Sequence, residues 1–322
     1  MTATLFFLFG LVLLYLGGEA LVKGAVSLAL KLKISTFVAG MTIVSFATSA
    51  PELLVSLGAA IKGHTDITFG NVIGSNIANI ALVLGLAAVL FRLNINPQTK
   101  RISFPFLFFS SLIFGLVVYF FNGIYFWVGV AFVILLVFFI LYLIRQSRKE
   151  YLQTAIVDDE LFEKESQTSL YKSVLYLVIG IVFLKYGADY FVDGAIALAE
   201  VFSVSNRVIA VTVIAIGTSI PELATTVIAA IKKEESLAVG NLIGSNIFNI
   251  LAVLGLTALI KDIPLVDVQL IRTDYLLMMG ITIFLGVFIY LFSKNKISRK
   301  EGAFFLAVYI AYIIYTFSFR MA

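Results

Sequence analysis

The chain has 322 residues, 61% hydrophobic and 13% charged, whereas a soluble domain carries about 45–50% apolar and about 25% charged residues. It reads as a polytopic membrane protein. With no cysteine and one histidine, His64, disulfides, thiolate metal sites and most imidazole chemistry are excluded, and the net charge of +4 calls for no nucleic acid, because loop charges orient membrane proteins.

Apolar runs and their breaks predict ten helices, each close to the roughly 20 residues that a bilayer core requires. The first, near 4–24, lacks a basic leader and a small-residue cleavage site, so it reads as a retained helix and not a removed signal. The second, near 37–61, carries Pro51 and Glu52 at its centre. Proline disrupts a helix, and an ionised carboxylate at mid-bilayer costs roughly 2.5 kcal/mol or more. A third run follows near 67–91. The next two, 103–121 and 124–144, hold no charge, and Asn122-Gly123 between them marks a tight hairpin. The polar stretch 145–171 reads as a flexible tether; Asp158, Asp159 and Glu160 within it lack the spaced pattern of a regulatory ion loop. Helices near 172–199, 207–231, 237–260, 273–293 and 302–319 complete the chain.

Lysine and arginine set the orientation. Sixteen lie in loops on one side, including the 145–171 stretch, and five on the other. The basic side is expected to be cytoplasmic, with both termini outside, in a cell (inner) membrane.

Residues 17–86 align without a gap on 187–256, with 31 identities in 70 positions. "ATSAPELLVSLGAAIK" matches "GTSIPELATTVIAAIK", and "GNVIGSNIANIALVLGL" matches "GNLIGSNIFNILAVLGL". Five helices per half is an odd number, so the second half must enter the membrane from the opposite face. The expected fold is all-α: ten transmembrane helices as two inverted-topology repeats, residues 1–144 (motif 40–86) and 172–322 (motif 210–256), with broken helices at an ion site.

Pro51-Glu52 recurs as Pro221-Glu222. Matching interruptions of this kind point to a transporter's binding site, and broken backbone at membrane depth is tolerated where it lines a wet cavity. The carbonyls upstream, near Ser45–Thr48 and Ala215–Thr218, become available to a cation. The first repeat offers Thr48, Ser49, Glu52, Ser75 and Asn79; the second offers Thr218, Ser219, Glu222, Ser245 and Asn249. Carboxylates, amides, hydroxyls and carbonyls without nitrogen or sulfur donors make a hard-cation site. Two glutamates balance one Ca²⁺, which accepts flexible oxygen cages; Na⁺ can use the same oxygens, and Mg²⁺ fits less well because it dehydrates reluctantly.

Gly70/Gly74 and Gly240/Gly244 form GxxxG pairs expected to let helices approach closely. Asn71, Asn76, Asn241 and Asn246 read as interhelical hydrogen-bond groups rather than ligands. Glu19–Lys23 and Lys185–Asp189 are four apart, with Asp193 on the latter face, and read as intrahelical or interfacial ion pairs, the other reading being a role in the ion path. His64 and Asp66 read as a solvated turn.

The motifs "ATSAPEL" with "GNVIGSNIAN" and "GTSIPEL" with "GNLIGSNIFN" resemble the two alpha repeats of the cation/Ca²⁺ exchanger superfamily, and most closely its prokaryotic Na⁺/Ca²⁺ exchanger branch. The resemblance covers both repeats and the ten-helix layout. It implies alternating access, with Na⁺ entry driving Ca²⁺ export. It implies cation ligands at the ten side chains named above, and backbone ligands at Ser45 and Ala215. One departure stands out: related exchangers can carry aspartate at one of the positions of Asn79 and Asn249, so this site has two acids and not three. Proton/Ca²⁺ exchangers resemble the chain around PEL but usually carry a glutamate near the GN segment.

The expected function is therefore secondary antiport of Na⁺ against Ca²⁺, not enzymatic and without cofactors. Its partners are the two ions and the lipid bilayer, with no nucleic acid and no obligate protein partner evident. The alternative is antiport coupled to H⁺ or K⁺. A channel is disfavoured, because tandem inverted repeats in one chain suit alternating access better than a ring of identical subunits.

Overall fold

A computed structural model describes residues 2–154, 169–201, 217–292 and 296–320. Apart from two short paired strands it is helical throughout. Among the described residues, seven helices are long and apolar enough to cross a membrane, and a bent pair makes an eighth span. The chain is an integral, multi-pass membrane protein.

The first helix, α1, runs from Thr2 to Leu32, well past the expected end near residue 24. Lys23 does not stop it, because its amine is accommodated against Tyr176 of the second half; Lys33 ends it in the left-handed region, at φ 56°. Ser35 caps the next helix, its Oγ accepting from Val38 N at 3.3 Å. That helix is broken in two: α2, Thr36–Thr48, and α3, Ala50–Ile61, meet at a 42° bend. The break falls at Ser49 (φ −85°, ψ 2°), and Pro51 lies in the first turn of α3, where a missing N–H costs no helical hydrogen bond. Proline thus starts a helix here instead of spoiling one.

After a turn through Gly63 (φ 85°) comes α4, Thr65–Phe91. His64 and Asp66 are solvent-exposed at that turn, as expected. Then follow α5, Thr99–Phe121, and α6, Phe126–Thr154. Asn122 is left-handed (φ 52°), which makes the expected hairpin between them. The tether is shorter than the sequence suggests, because α6 continues through the charged residues up to Thr154, aided by a Gln146–Glu150 hydrogen bond one turn apart (3.0 Å). Asp158, Asp159 and Glu160 lie outside the described residues.

The second half starts with α7, Leu170–Val201. Of the helix expected at 207–231, residues from 217 are described. A break at Ser219 (φ −91°, ψ 4°) leads into α8, Ile220–Ile231, with Pro221 in its first turn, which repeats the geometry at Ser49. Next come α9, Glu235–Ile260, α10, Leu270–Phe292, and α11, Arg299–Arg320. Strand β1, Gly123–Ile124, pairs antiparallel with β2, Ile263–Pro264, tying the α5–α6 hairpin to the α9–α10 loop.

Helices α4 and α9 form the centre: 78% and 83% of their apolar windows are buried, against 28% for α6 and α7. The remaining helices shield this pair from lipid. Exposed aromatic residues at the hairpin tip, such as Phe120 and Trp127, suit the membrane interface. Helices α1 and α7 run antiparallel along their whole length through a glycine seam. A Cβ at Gly17 would lie 2.7 Å from Leu184 N, one at Gly24 2.9 Å from Leu177 N, and one at Gly180 2.7 Å from Leu21 N. Small residues at such positions let backbones touch, which is how helices gain packing energy in lipid.

Candidate ion-binding site

Each broken helix crosses to the other half. The α2 segment Gly40–Thr48 packs on α9, α3 packs on the Asn249–Leu254 turn of α9, and α8 packs on the Ala78–Leu84 turn of α4. In both turns the helix widens to π-type geometry at the same repeat position, a feature frequent at functional sites. Asn79 and Asn249 sit at these turns.

The crossing depends on glycine. A Cβ at Gly240 would strike the Phe37 carbonyl, and one at Gly244 would lie 2.6 Å from the Met41 carbonyl and collide with Ser45 Oγ. This is the close approach expected of the second GxxxG pair. For the first pair, nothing described lies closer to a Cβ at Gly70 than Leu270 Cδ2 at 3.8 Å, and nothing described lies within 4 Å at Gly74.

These contacts gather most of the predicted oxygens into one buried cluster. Ser45, Thr48, Ser49, Glu52, Ser75 and Asn79 are all buried, as are Ser219, Glu222, Ser245 and Asn249. Thr218 is only partly buried and lines a cavity of about 410 Å³ beside the two prolines. Ala215 lies outside the described residues. The Ser45 carbonyl is less free than the proline argument suggests: it accepts from Ser49 N at 2.9 Å, so only its second lone pair is available. By helical arithmetic the carbonyl that loses its donor to Pro51 is that of Ala47.

The two carboxyl groups are close enough to act on each other electrostatically. Both oxygens of Glu52, both of Glu222, and the hydroxyls of Ser49, Ser75 and Ser219 are buried without a hydrogen-bond partner, as are Asn79 Oδ1 and Asn249 Oδ1. Buried polar groups are normally satisfied, and each exception calls for an explanation such as an ion. So many orphan oxygens in one place are what a dehydrated cation would need. Among the described residues no three acids or histidines converge, so compensating charge there comes from two carboxylates.

The asparagines follow the expectation in part: Asn246 Nδ2 donates to Leu242 O within its own helix at 2.7 Å, not between helices. Asn71 Nδ2 donates to Glu52 O (3.2 Å) and Ser56 Oγ (3.0 Å), fixing α3 on α4. Asn76 Nδ2 donates to Asn246 O at 3.4 Å, and Asn249 Nδ2 donates to Asn76 Oδ1 at 3.1 Å, joining α4 to α9. Asn241 is more central than its sequence reading implies, because its Oδ1 accepts from Thr48 Oγ1 at 3.3 Å and lies 3.5 Å from Ser245 Oγ. Sequence reasoning missed Thr225 and Thr226, whose hydroxyls are buried without partners on α8. The signal was available, since Thr226 occupies the repeat position of Ser56.

The ion-pair expectations hold in part. Lys185 pairs with Asp189 on α7. Glu19 does not pair with Lys23; it reaches Lys232 at the end of α8, 2.6 Å away. Lys23 instead donates to Tyr176 OH at 3.2 Å and sits over that ring. Tertiary packing brings α8 nearer to Glu19 than one turn of its own helix does.

With this geometry in place, the comparison with known proteins is direct. The family described as "Sodium/calcium exchanger protein" matches residues 2–145 and 172–318. The chain belongs to this family. The exchanger is 37% identical to the candidate antiporter CaxA of Alkalimonas amylolytica, covering 99% of each protein. It is 32% identical to the sodium/calcium exchanger MaX1 of Methanosarcina acetivorans, covering 97% of this chain and 98% of MaX1. Its fold matches the sodium-calcium exchanger NCX_Mj soaked with 2.5 mM Na⁺ and 0.1 mM Ca²⁺, with a TM-score of 0.80, 30% identity and 98% coverage of both chains. The match to NCX_Mj soaked with zero Na⁺ and Ca²⁺ also has a TM-score of 0.80.

Proposed function

We propose that this exchanger moves Ca²⁺ against Na⁺ by alternating access at the cluster around Glu52 and Glu222. The observation that carries the reading is the pair of fully buried, unpartnered carboxylates inside a membrane protein. A buried charge without compensation is very expensive, so the pair can be ionised only with cations in place. Two negative charges match one Ca²⁺ or two Na⁺, which makes the two loads interchangeable. The ligand set is Glu52, Glu222, Thr48, Ser49, Ser75, Asn79, Thr218, Ser219, Ser245 and Asn249, with the Ser45 and Ala215 carbonyls. The architecture is ten helices in two inverted halves, 1–144 and 172–322, supported by the repeated Ser49 and Ser219 breaks.

Purified protein in liposomes tests the coupling. ⁴⁵Ca²⁺ uptake should follow an imposed Na⁺ gradient. Uptake that ignores Na⁺ and follows H⁺ or K⁺ would overturn the assignment in favour of another antiporter, and uptake with no gradient dependence would indicate a channel. The orientation proposal, basic loops cytoplasmic and termini outside, has its own test. A cysteine introduced as Ser166→Cys in this cysteine-free chain should resist an impermeant reagent added to intact cells; ready labelling would reverse the topology.

A further inference from the structure

The cavity of about 410 Å³ has Pro51, Thr218 and Pro221 beside the ion cluster and Lys185, Asp189 and Asp193 along its α7 wall. A lysine in the approach to a cation site is chemically unexpected, because it repels the cargo. Here the Lys185 amine is paired with Asp189 one turn away, and both side chains are about half exposed. Asp193 adds a second carboxylate to the same wall. The three fixed charges leave this mouth with one net negative charge. All three are exposed, unlike the buried glutamates, so they act on arriving ions through space, not as ligands.

We propose that Lys185, Asp189 and Asp193 are specificity-determining residues that set how strongly the approach favours Ca²⁺ over Na⁺. The proposal rests on the exchange function above. Its physical basis is that the potential in the mouth multiplies the local ion concentration by a Boltzmann factor, and the factor for a divalent ion is the square of that for a monovalent ion. One unit charge acting on an ion about 10 Å away through water changes the monovalent factor about two-fold and the divalent factor about four-fold. Changing Lys185 makes the mouth more negative; removing either aspartate's charge makes it neutral.

The test uses the full exchanger in liposomes, with half-saturating Ca²⁺ and Na⁺ measured at low ionic strength for Lys185→Gln, Asp189→Asn, Asp193→Asn and the double variant Lys185→Gln/Asp189→Asn. Each aspartate variant should raise half-saturating Ca²⁺ about four-fold and Na⁺ about two-fold. Lys185→Gln should lower both by the same factors, the double variant should return near wild type, and maximal rates should not change. The shifts should shrink as inert salt screens the mouth. A Lys185→Gln shift in the same direction as the aspartate variants, Ca²⁺ and Na⁺ shifts of equal size, or shifts insensitive to salt would each overturn the proposal. If the wild type itself shows no Na⁺-dependent Ca²⁺ flux, the exchange reading fails instead, and the two failures are told apart by that control.

Discussion

Glu19 on α1 and Asp189 on α7 occupy the same position in the two repeats, yet they are paired differently. Asp189 bonds to Lys185 in its own helix and leaves a cavity beside Pro51 and Pro221. Glu19 bonds to Lys232 at the end of α8, and beside it a Cβ at Gly18 would collide with Ile228, 2.5 Å from its Cδ1. The second half has a cavity against the two prolines, whereas at the equivalent place in the first half Gly18 packs on Ile228. Under the alternating access proposed above, the two approaches are not open at once, and this asymmetry is the conformational state.

Three experiments break or sharpen this comparison. The largest effect is expected where the halves should be equal. Glu52→Gln and Glu222→Gln should each lower Na⁺-driven Ca²⁺ flux at least about 100-fold, which is ~2.8 kcal/mol at 1.4 kcal/mol per tenfold. Retention of fold would be checked by size-exclusion elution. If one variant transports at the wild-type rate, the two halves do not share the ion equally.

A smaller effect should come from the crossing of α2 on α9. Gly244→Ala forces a methyl against the Met41 carbonyl, and overpacking of this kind costs about 1–3 kcal/mol. The solubilised protein should melt several degrees earlier. An unchanged melting temperature would mean that this crossing is not held tightly by its glycine.

The smallest effect concerns the shut approach. A pair as exposed as Glu19–Lys232 contributes about 0–1 kcal/mol. Glu19→Gln should therefore raise the labelling rate of an Ala224→Cys reporter by no more than about five-fold, the equivalent of 1 kcal/mol. An unchanged rate would show that packing of Gly18 on Ile228, and not the ion pair, keeps this side closed.

Much of the site was legible because the chemistry is local and duplicated. Pro-Glu twice, in chain otherwise greasy enough to span, marked the broken helices, and the GxxxG–Asn motifs marked what they cross. Other features depend on tertiary contact and leave no local trace. The widened turns at Ala78–Leu84 and Asn249–Leu254 look like ordinary apolar helix in sequence. Glu19 has a lysine one turn away and chooses a different one. Helix ends were also misjudged, since hydropathy falls at the bilayer edge while α1 and α6 continue into water with their backbone hydrogen bonds intact.

The glycine seam between α1 and α7 has an evolutionary reading. Gly10, Gly17 and Gly24 receive the backbone of α7, and Gly180, Gly187 and Gly194, at the same repeat positions, receive that of α1. The first helix of each half packs mainly on the first helix of the other. A half-length ancestor with such notches would have packed only against a second copy inserted upside down, so gene duplication would have fused a dual-orientation dimer. The seam also predicts complementation: fragments 1–154 and 155–322 should be degraded when expressed singly and recovered together when co-expressed. Stable accumulation of either fragment alone would argue that each half is self-sufficient.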